Sequence, residues 1–334
     1  RQRFTFLTGI SKFSKVSIFS DLNNLKDMTM ERSCATLFGY TRGEVERNLP
    51  GLLGRFAEAN GLTRAQGLAE IERWYDGYLF HPLAERVINP VSLGLCLFSC
   101  ELKNYWSTTA MTTFLMDALK RRPLNFAKVD VDESVLGTYE PDRADFTTLL
   151  FQTGYLTITG FQQRGTTRRY ALDFPNLEVE NSFLRQVVPA YTGQEQNRAN
   201  DIQADAVDAL YAGEPEKFVA ALKRLFANIP YDLTDRQNEQ MWQAIVYVVL
   251  KMVGVDVGGE VKTNEGRIDM TADTPEHCYV IEFKLGASAA EAIRQIRANR
   301  YADRFAGNGK TLTLVGLAFS KERRTIVDSA VEID

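Results

Sequence analysis

Two runs, "RIDMTAD" (Arg267–Asp273) and "CYVIEFKLG" (Cys278–Gly286), constrain this chain most. Each is rich in β-branched and aromatic residues, and the short polar segment Thr274–His277 separates them. Side chains alternate along a strand, so Val280, Glu282 and Lys284 share one face while Ile281 and Phe283 take the other. Glu282 and Lys284 then stand about 7 Å apart at their Cα atoms. A hairpin closing over Thr274–His277 pairs residues symmetrically about that loop and sets Asp269 opposite Glu282. Opposed residues have Cβ atoms roughly 5 Å apart. Two carboxylates at that distance repel, and burial raises the cost. A divalent cation removes the repulsion, because hard cations take oxygen ligands and magnesium binds one or two carboxylates together with substrate phosphates. A plainer reading stays open, in which Asp269 and Lys284 form a cross-strand ion pair and Glu282 faces water.

The residues around this hairpin follow the order helix, strand, strand, strand, helix, strand. "TDRQNEQMWQAIVYVVLKMVG" opens with Thr234 and Gln237 as a capping box, and "SAAEAIRQIRANRYADRF" opens with Ser288 and Glu291 as another. "VDVGGEVKT" supplies the first strand, and "TLTLVGLAFS" is expected to close the sheet. Trp242, Val246, Val249 and Val253 form the apolar stripe of the first helix. Glu239 falls on that stripe, three residues before Trp242, and is expected to face the sheet. Glu260 joins the site if the first strand borders it.

Upstream, "FTFLTGIS" (Phe4–Ser11) reads as a buried strand running into a loop. The period turns helical from "YTRGEVERNLPGLLGRF" to "IERWYDGY", with Thr41 and Glu44 as a capping box. "INPVSLGLCLFS" and "STTAMTTFLMDALKRR" read as further helices. "LLFQTGYLTITGFQQRGTTRRYALDFPN" reads as a helix end and a hairpin with a basic turn, an arrangement that suits a winged-helix module. Leu184 to Leu225 is helical again, and Asn228–Thr234 is the best-marked linker. The expected division is 1–125, 126–230 and 231–334.

Composition narrows the chemistry. The 334 residues, 45% hydrophobic and 25% charged, can bury a sizeable core. Only two histidines, His81 and His277, are present, which disfavours zinc sites built on His pairs and Ser-His-Asp triads. Carboxylates and a lysine are left to carry any catalysis. Cys34, Cys96, Cys100 and Cys278 show no CxxC spacing and read as reduced thiols of a cytoplasmic protein. No run is apolar enough to span a bilayer. A net charge of −4 argues against phosphate binding over the whole surface, so nucleic-acid contact would be local or bridged by metal. Arg1 in place of Met points to a fragment of something longer.

With "GRIDM", "VIEFK" and "QIRANRY" in this order, the sequence resembles the PD-(D/E)xK nuclease superfamily. More narrowly, it resembles the branch fused behind an AAA-ATPase-like domain in many bacterial and archaeal proteins. "FLTGISKFSKVSIFSDLNNLKDMT", "WYDGYLF", "INPVSL", "YWSTT" and "LLFQTGYLTI" resemble that branch upstream. The resemblance implies an α/β fold: a mostly helical N-terminal region, then a restriction-endonuclease-like domain with a mixed central sheet. It implies that Asp269 and Glu282 hold Mg2+ or Mn2+ together with the Phe283 carbonyl. It further implies that Lys284 orients or activates the attacking water, that Glu239 supplies a helix carboxylate, and that Gln295 sits beside the site. The branch's phosphate-binding loop and magnesium-binding acid should precede "FLTGIS" and are absent, so ATP hydrolysis by this fragment is not expected.

"GNGKT" (Gly307–Thr311) lacks the earlier glycine and the following helix of a phosphate loop, and reads as a turn. Arg297, Arg300 and Arg304 fall at i, i+3 and i+7 of the last helix, and Arg164, Arg168 and Arg169 in or beside the basic turn. For both groups, phosphate contact and a solvated face stay open. Trp74, Tyr75 and Tyr78 read as packing residues rather than a base-stacking platform. The expected activity is metal-dependent hydrolysis of phosphodiester bonds, in DNA before RNA, with oligomerisation through the ATPase-like part and no membrane partner. The alternative is a non-cleaving binding or regulatory protein that keeps the fold.

Overall fold

The computed structural model describes residues 3–9, 26–106, 129–136, 146–192, 195–227, 239–251, 256–263, 266–301, 305, 309–320, 322–323 and 325–333. These fall into two compact units, one holding the described residues up to Phe183 and the other those from Leu184 onward. The expected helix over "STTAMTTFLMDALKRR", the linker Asn228–Thr234 and the Thr234–Gln237 capping box lie outside the described residues.

In the first unit, α1 (Arg42–Asn48), α2 (Pro50–Ala59) and α3 (Arg64–Tyr75) fill the stretch of helical period. Thr41 caps α1 as expected: its Oγ1 accepts the Glu44 N–H, and Glu44 Oε2 accepts the Thr41 N–H at 2.8 Å. Pro50, at the first position of α2, separates two helices that would otherwise run on. α4 (Pro90–Ser99) starts from Asn89, whose Oδ1 accepts the N–H groups of Val91 and Ser92. The apolar faces meet around Phe56, Ile71, Tyr75, Ile88 and Leu93, with Trp74 packed against them. Tyr75 and Trp74 are therefore packing residues, as expected.

The same unit holds β1 (Val129–Asp132), the short helices α5 (Glu133–Leu136) and α6 (Phe146–Gln152), β2 (Thr157–Arg164) and β3 (Thr167–Asp173). The strands form an antiparallel sheet in the order β1-β3-β2. Gly165, at φ +61°, makes the tight turn between β2 and β3. β1 was not expected, since "VDVD" alone is too short to mark a strand. Phe4–Ser11 is corrected: its described part, residues 3–9, forms no strand, and Phe4 is 80% exposed. A strand needs a partner for its backbone groups, and no described strand pairs with this run.

α7 (Leu177–Thr192) contains the boundary between the units. At its start the fully buried Glu178 accepts the Ser92 hydroxyl at 2.7 Å and the N–H groups of Tyr105 and Trp106 at 2.7 and 2.9 Å. Burial pushes its carboxyl above the ordinary glutamate range, and those three donors oppose the shift.

The second unit contains α8 (Gln196–Tyr211), α9 (Pro215–Phe226), α10 (Glu239–Lys251), β4 (Asp256–Thr263), β5 (Gly266–Asp273), β6 (His277–Leu285), α11 (Ala289–Ala298), β7 (Thr311–Ser320) and β8 (Thr325–Ile333). Its sheet runs β4-β5-β6-β7-β8, antiparallel except for the parallel pair β6–β7 that the α11 crossover joins. The architecture is thus α/β with a mixed sheet, consistent with a restriction-endonuclease-like domain. β7 does not close the sheet, as had been expected; β8 forms that edge. β8 alternates little on its exposed side, which masks it in the sequence.

The two faces of β6 carry different helices. Val280 and Cys278 pack with Ile293 and Ile296 of α11, whereas the Tyr279 hydroxyl donates to the Leu210 carbonyl of α8 at 2.6 Å. α10 lies against α8 and against β4, β5 and β6. Its Val246 and Val249 are buried, as the apolar stripe predicts. Gly307 and Asn308 of "GNGKT" lie outside the described residues; its described end, Gly309 and Lys310, leads straight into β7 rather than into the helix of a phosphate loop, and Lys310 pairs with Asp273 at 2.6 Å. No helix among the described residues is long and apolar enough to cross a membrane.

Candidate active site

The β5–β6 hairpin closes where the alternation places it. Asp273 pairs with Cys278, Ala272 with Tyr279, Thr271 with Val280 and Met270 with Ile281. One step further, this register sets Asp269 opposite Glu282. There a side chain continues the ladder: Asp269 Oδ2 accepts the Phe283 N–H at 3.0 Å. Asp269 is half-buried and is tethered to the strand that carries Glu282.

Glu282 is 1% exposed. Its Oε1 accepts Lys284 Nζ at 3.2 Å and also the Gln295 amide. Its Oε2 is buried and has no hydrogen-bond partner among the described residues. Burial, and next the nearby Asp269, push the Glu282 carboxyl up to about 7, while Lys284 and the Asp269 peptide N–H pull the other way. The plainer reading is thereby corrected: Glu282 does not face water, and Lys284 pairs with it. The Lys284 side chain, 21% exposed, leads from this buried acid to solvent.

α11 explains how Gln295 reaches the acid. Its N-terminus is fixed by Ser288 and Glu291, the capping box expected, and by Asp328 Oδ2, which accepts the Ala289 N–H at 3.0 Å. Gly316 on β7 pairs with Glu282, and a Cβ there would collide with the Ala289 carbonyl and come within 3.1 Å of Ala292 Cβ. The bare glycine lets α11 lie directly on the sheet. Gly316 was not expected to matter; its signal was a glycine inside an otherwise apolar strand.

An unpartnered buried carboxylate oxygen costs free energy that a cation would recover. The donor set is oxygen only, which suits magnesium or manganese better than zinc. Among the described residues no three His, Cys, Asp or Glu side chains group as a metal site, so the described donors are the two carboxylates. They fit one hard cation, with further oxygens from the backbone, water or substrate.

The other expected residues are placed as follows. Glu239 is the first residue of α10. Glu260 lies between the paired positions Gly259–Met270 and Val261–Ile268, so β4 borders the site and Glu260 stands opposite Asp269. Arg297 pairs with Glu332 at 2.8 Å. Arg300 does not continue the helical face, because α11 ends at Ala298 and Arg300 adopts φ +50°. Arg304 lies outside the described residues. In the first unit Arg164 ends β2, Arg168 pairs with Glu133 at 3.2 Å, and Arg169 donates to the Asp130 carbonyl. All four cysteines are free thiols.

The chain is 35% identical over 341 residues to a protein of Azotobacter chroococcum mcd 1 named "Uncharacterized protein in vnfD 5'region", an alignment covering 99% of this chain and 63% of that protein. The chain therefore spans under two thirds of this relative's length. No solved structure matches it. Residues 237–329 match the PD-(D/E)XK nuclease superfamily, a span that takes in α10, the strands β4 to β7 and most of β8, with Asp269, Glu282, Lys284 and Gln295 inside it. This stretch of the chain is a PD-(D/E)XK nuclease superfamily domain.

Proposed function

We propose that the chain is a metal-dependent nuclease that hydrolyses phosphodiester bonds, with DNA as its substrate and Mg2+ or Mn2+ as its cofactor. The observation that carries this reading is Glu282: a buried acid with one oxygen engaged by Lys284 and Gln295 and the other unpartnered, beside Asp269. Asp269, Glu282 and the Phe283 carbonyl would hold the cation, and Glu239 would add a carboxylate from α10. When bound, the cation lowers the pKa of a water and neutralises charge that builds on the phosphoryl group.

The chain's own residues do the rest. The Phe283 N–H holds one Asp269 oxygen and so fixes the orientation of that side chain. Gln295 and Lys284 both bond Glu282 Oε1, which leaves Oε2 as the oxygen available for ligation. Lys284 also carries a fixed positive charge to the edge of solvent. There it can orient the attacking water and stabilise the developing oxyanion. Upstream, we assign residues 1–125 as a remnant of an ATPase-like core through which copies of the protein assemble, and 126–230 as a helical, winged-helix-like region that contacts DNA.

The test is cleavage of plasmid and single-stranded DNA with Mg2+ or Mn2+. Wild type should cut, and Lys284→Ala and Asp269→Asn should lose at least about a hundredfold in rate. Equal inertness of wild type and variants across metals and substrates would favour a protein that keeps the fold for binding alone.

A further inference from the structure

In the first unit the β2–β3 hairpin outruns the sheet that carries it. β1 pairs with β3 only as far as Asp132 opposite Arg169, whereas β2 and β3 continue through Gln163 opposite Arg168 to Arg164 opposite Thr167. Beyond Asp132 the hairpin is therefore a two-stranded ribbon, closed by Gly165, where an added Cβ would meet no described atom. Every residue from Gln162 to Arg169 is exposed. Opposed residues share a face, so Gln162, Arg164, Thr167 and Arg169 line one side of the ribbon and Gln163 and Arg168 the other.

The second side is the anchored one. Phe161 and the buried Tyr170 pack there with ring centroids 5.3 Å apart, and the Tyr170 hydroxyl and Arg168 both donate to Glu133 Oε1 at 3.2 Å. The first side is polar throughout. Arg169 is held by the Asp130 carbonyl at 3.1 Å, and Arg164, at the tip, has no ion-pair partner among the described residues. Asp130, Asp132 and Glu133 stand at the base of the ribbon and match its three arginines in number. Asp132 is engaged by Ser134, whose N–H and hydroxyl it accepts at 3.1 and 2.8 Å. The ribbon thus lacks the excess positive charge of a phosphate clamp. What it offers is directional: an amide, a hydroxyl and two guanidinium groups, the groups that read base edges.

We infer that this ribbon enters the major groove of duplex DNA and reads base edges with Gln162, Arg164, Thr167 and Arg169, so that the substrate is double-stranded and particular sequences are bound more tightly than others. The inference rests on the nuclease reading, which supplies DNA as the ligand. The major groove is about 12 Å wide and admits a two-stranded ribbon, whose strands lie about 4.8 Å apart. Arginine bonds O6 and N7 of guanine together, and glutamine bonds N6 and N7 of adenine. A single strand has no such groove and is the weaker ligand.

The test uses the full chain carrying Lys284→Ala to suppress turnover, in Mg2+, and selects from a library of random duplexes. Fluorescence anisotropy then compares the enriched duplex, a scrambled duplex and the single strand across a salt titration. The parent should bind the enriched duplex at least about tenfold more tightly than the other two. Adding Arg164→Ala or Gln162→Ala should each cut that preference at least about fivefold at one base pair, with the melting temperature unchanged. The slope of log affinity against log salt should stay as it is, because a base edge carries no counterions. No enrichment, or equal affinity for the single strand, would overturn the inference and leave the nuclease reading standing. So would a preference that both variants keep, or a salt slope that falls by about 1 in Arg164→Ala with the preference intact, which would mark a phosphate contact. So, too, would cleavage by wild type without measurable duplex binding by the parent. Absence of both binding by the parent and cleavage by wild type would overturn both readings.

Discussion

Gly316 stands beside Glu282 in the parallel ladder of β6 and β7, and the first turn of α11 lies in the space a side chain on it would need. The glycine thus sets how closely Gln295 approaches the acid. Gly316→Val should displace α11 and cost about 1–3 kcal/mol of stability in urea unfolding, the usual penalty for overpacking a filled core. Cleavage should fall further than stability alone explains, because the Gln295 to Glu282 bond is lost.

Gln295 itself is a positioning residue. Gln295→Ala leaves Lys284 on Glu282 Oε1, so the fold should hold, with a change in unfolding free energy under about 1 kcal/mol. Removing a group that orients a metal ligand typically costs about 10–100-fold in metal affinity or activity. Mn2+ titration by electron paramagnetic resonance should show that loss, and Gln295→Glu should do worse by adding a third acid.

Glu282 predicts the pH dependence of the metal-free protein. Its folded carboxyl is raised to about 7 from an ordinary 4.5, so the native state holds a proton that the unfolded chain has released. Stability from this group is therefore fully present below about 4.5 and is lost as pH rises through about 7, at most about 3 kcal/mol. Glu282→Gln should flatten that window in chelator-treated samples. Adding Mg2+ to wild type should stabilise more at pH 8 than at pH 5.

In the first unit, Glu178 joins α4, the segment around Tyr105 and the start of α7. Glu178→Ala would strip the acceptor from two peptide N–H groups and the Ser92 hydroxyl, at a cost of about 3 kcal/mol or more. Chemical denaturation followed by the fluorescence of Trp74 and Trp106 should report it.

The hairpin was legible because strand alternation and a short loop leave one register that buries the apolar face, and that register brings Asp269 and Glu282 together. Ser288 and Thr41 were legible because a capping box is local. The burial of Glu282 and its pairing with Lys284 were not, since they depend on α11 lying over the strand, a contact fixed by Gly316 far along the chain. β8 escaped because an edge strand with polar residues carries little pattern. Phe4 and Phe6 misled because β-propensity is a statement about fit to a neighbouring strand, and none of the described strands is there. Arg300 misled because a helical period says nothing about where the helix stops.

A crystal of the full chain grown with Mn2+, examined at a wavelength where manganese scatters anomalously, tests the central claim most directly. The account predicts an anomalous peak bonded to one oxygen each of Asp269 and Glu282, with Glu282 Oε2 no longer unpartnered and the peak absent in Glu282→Gln. A wild-type crystal at saturating Mn2+ with no peak there, or with manganese held only by other residues, would contradict it.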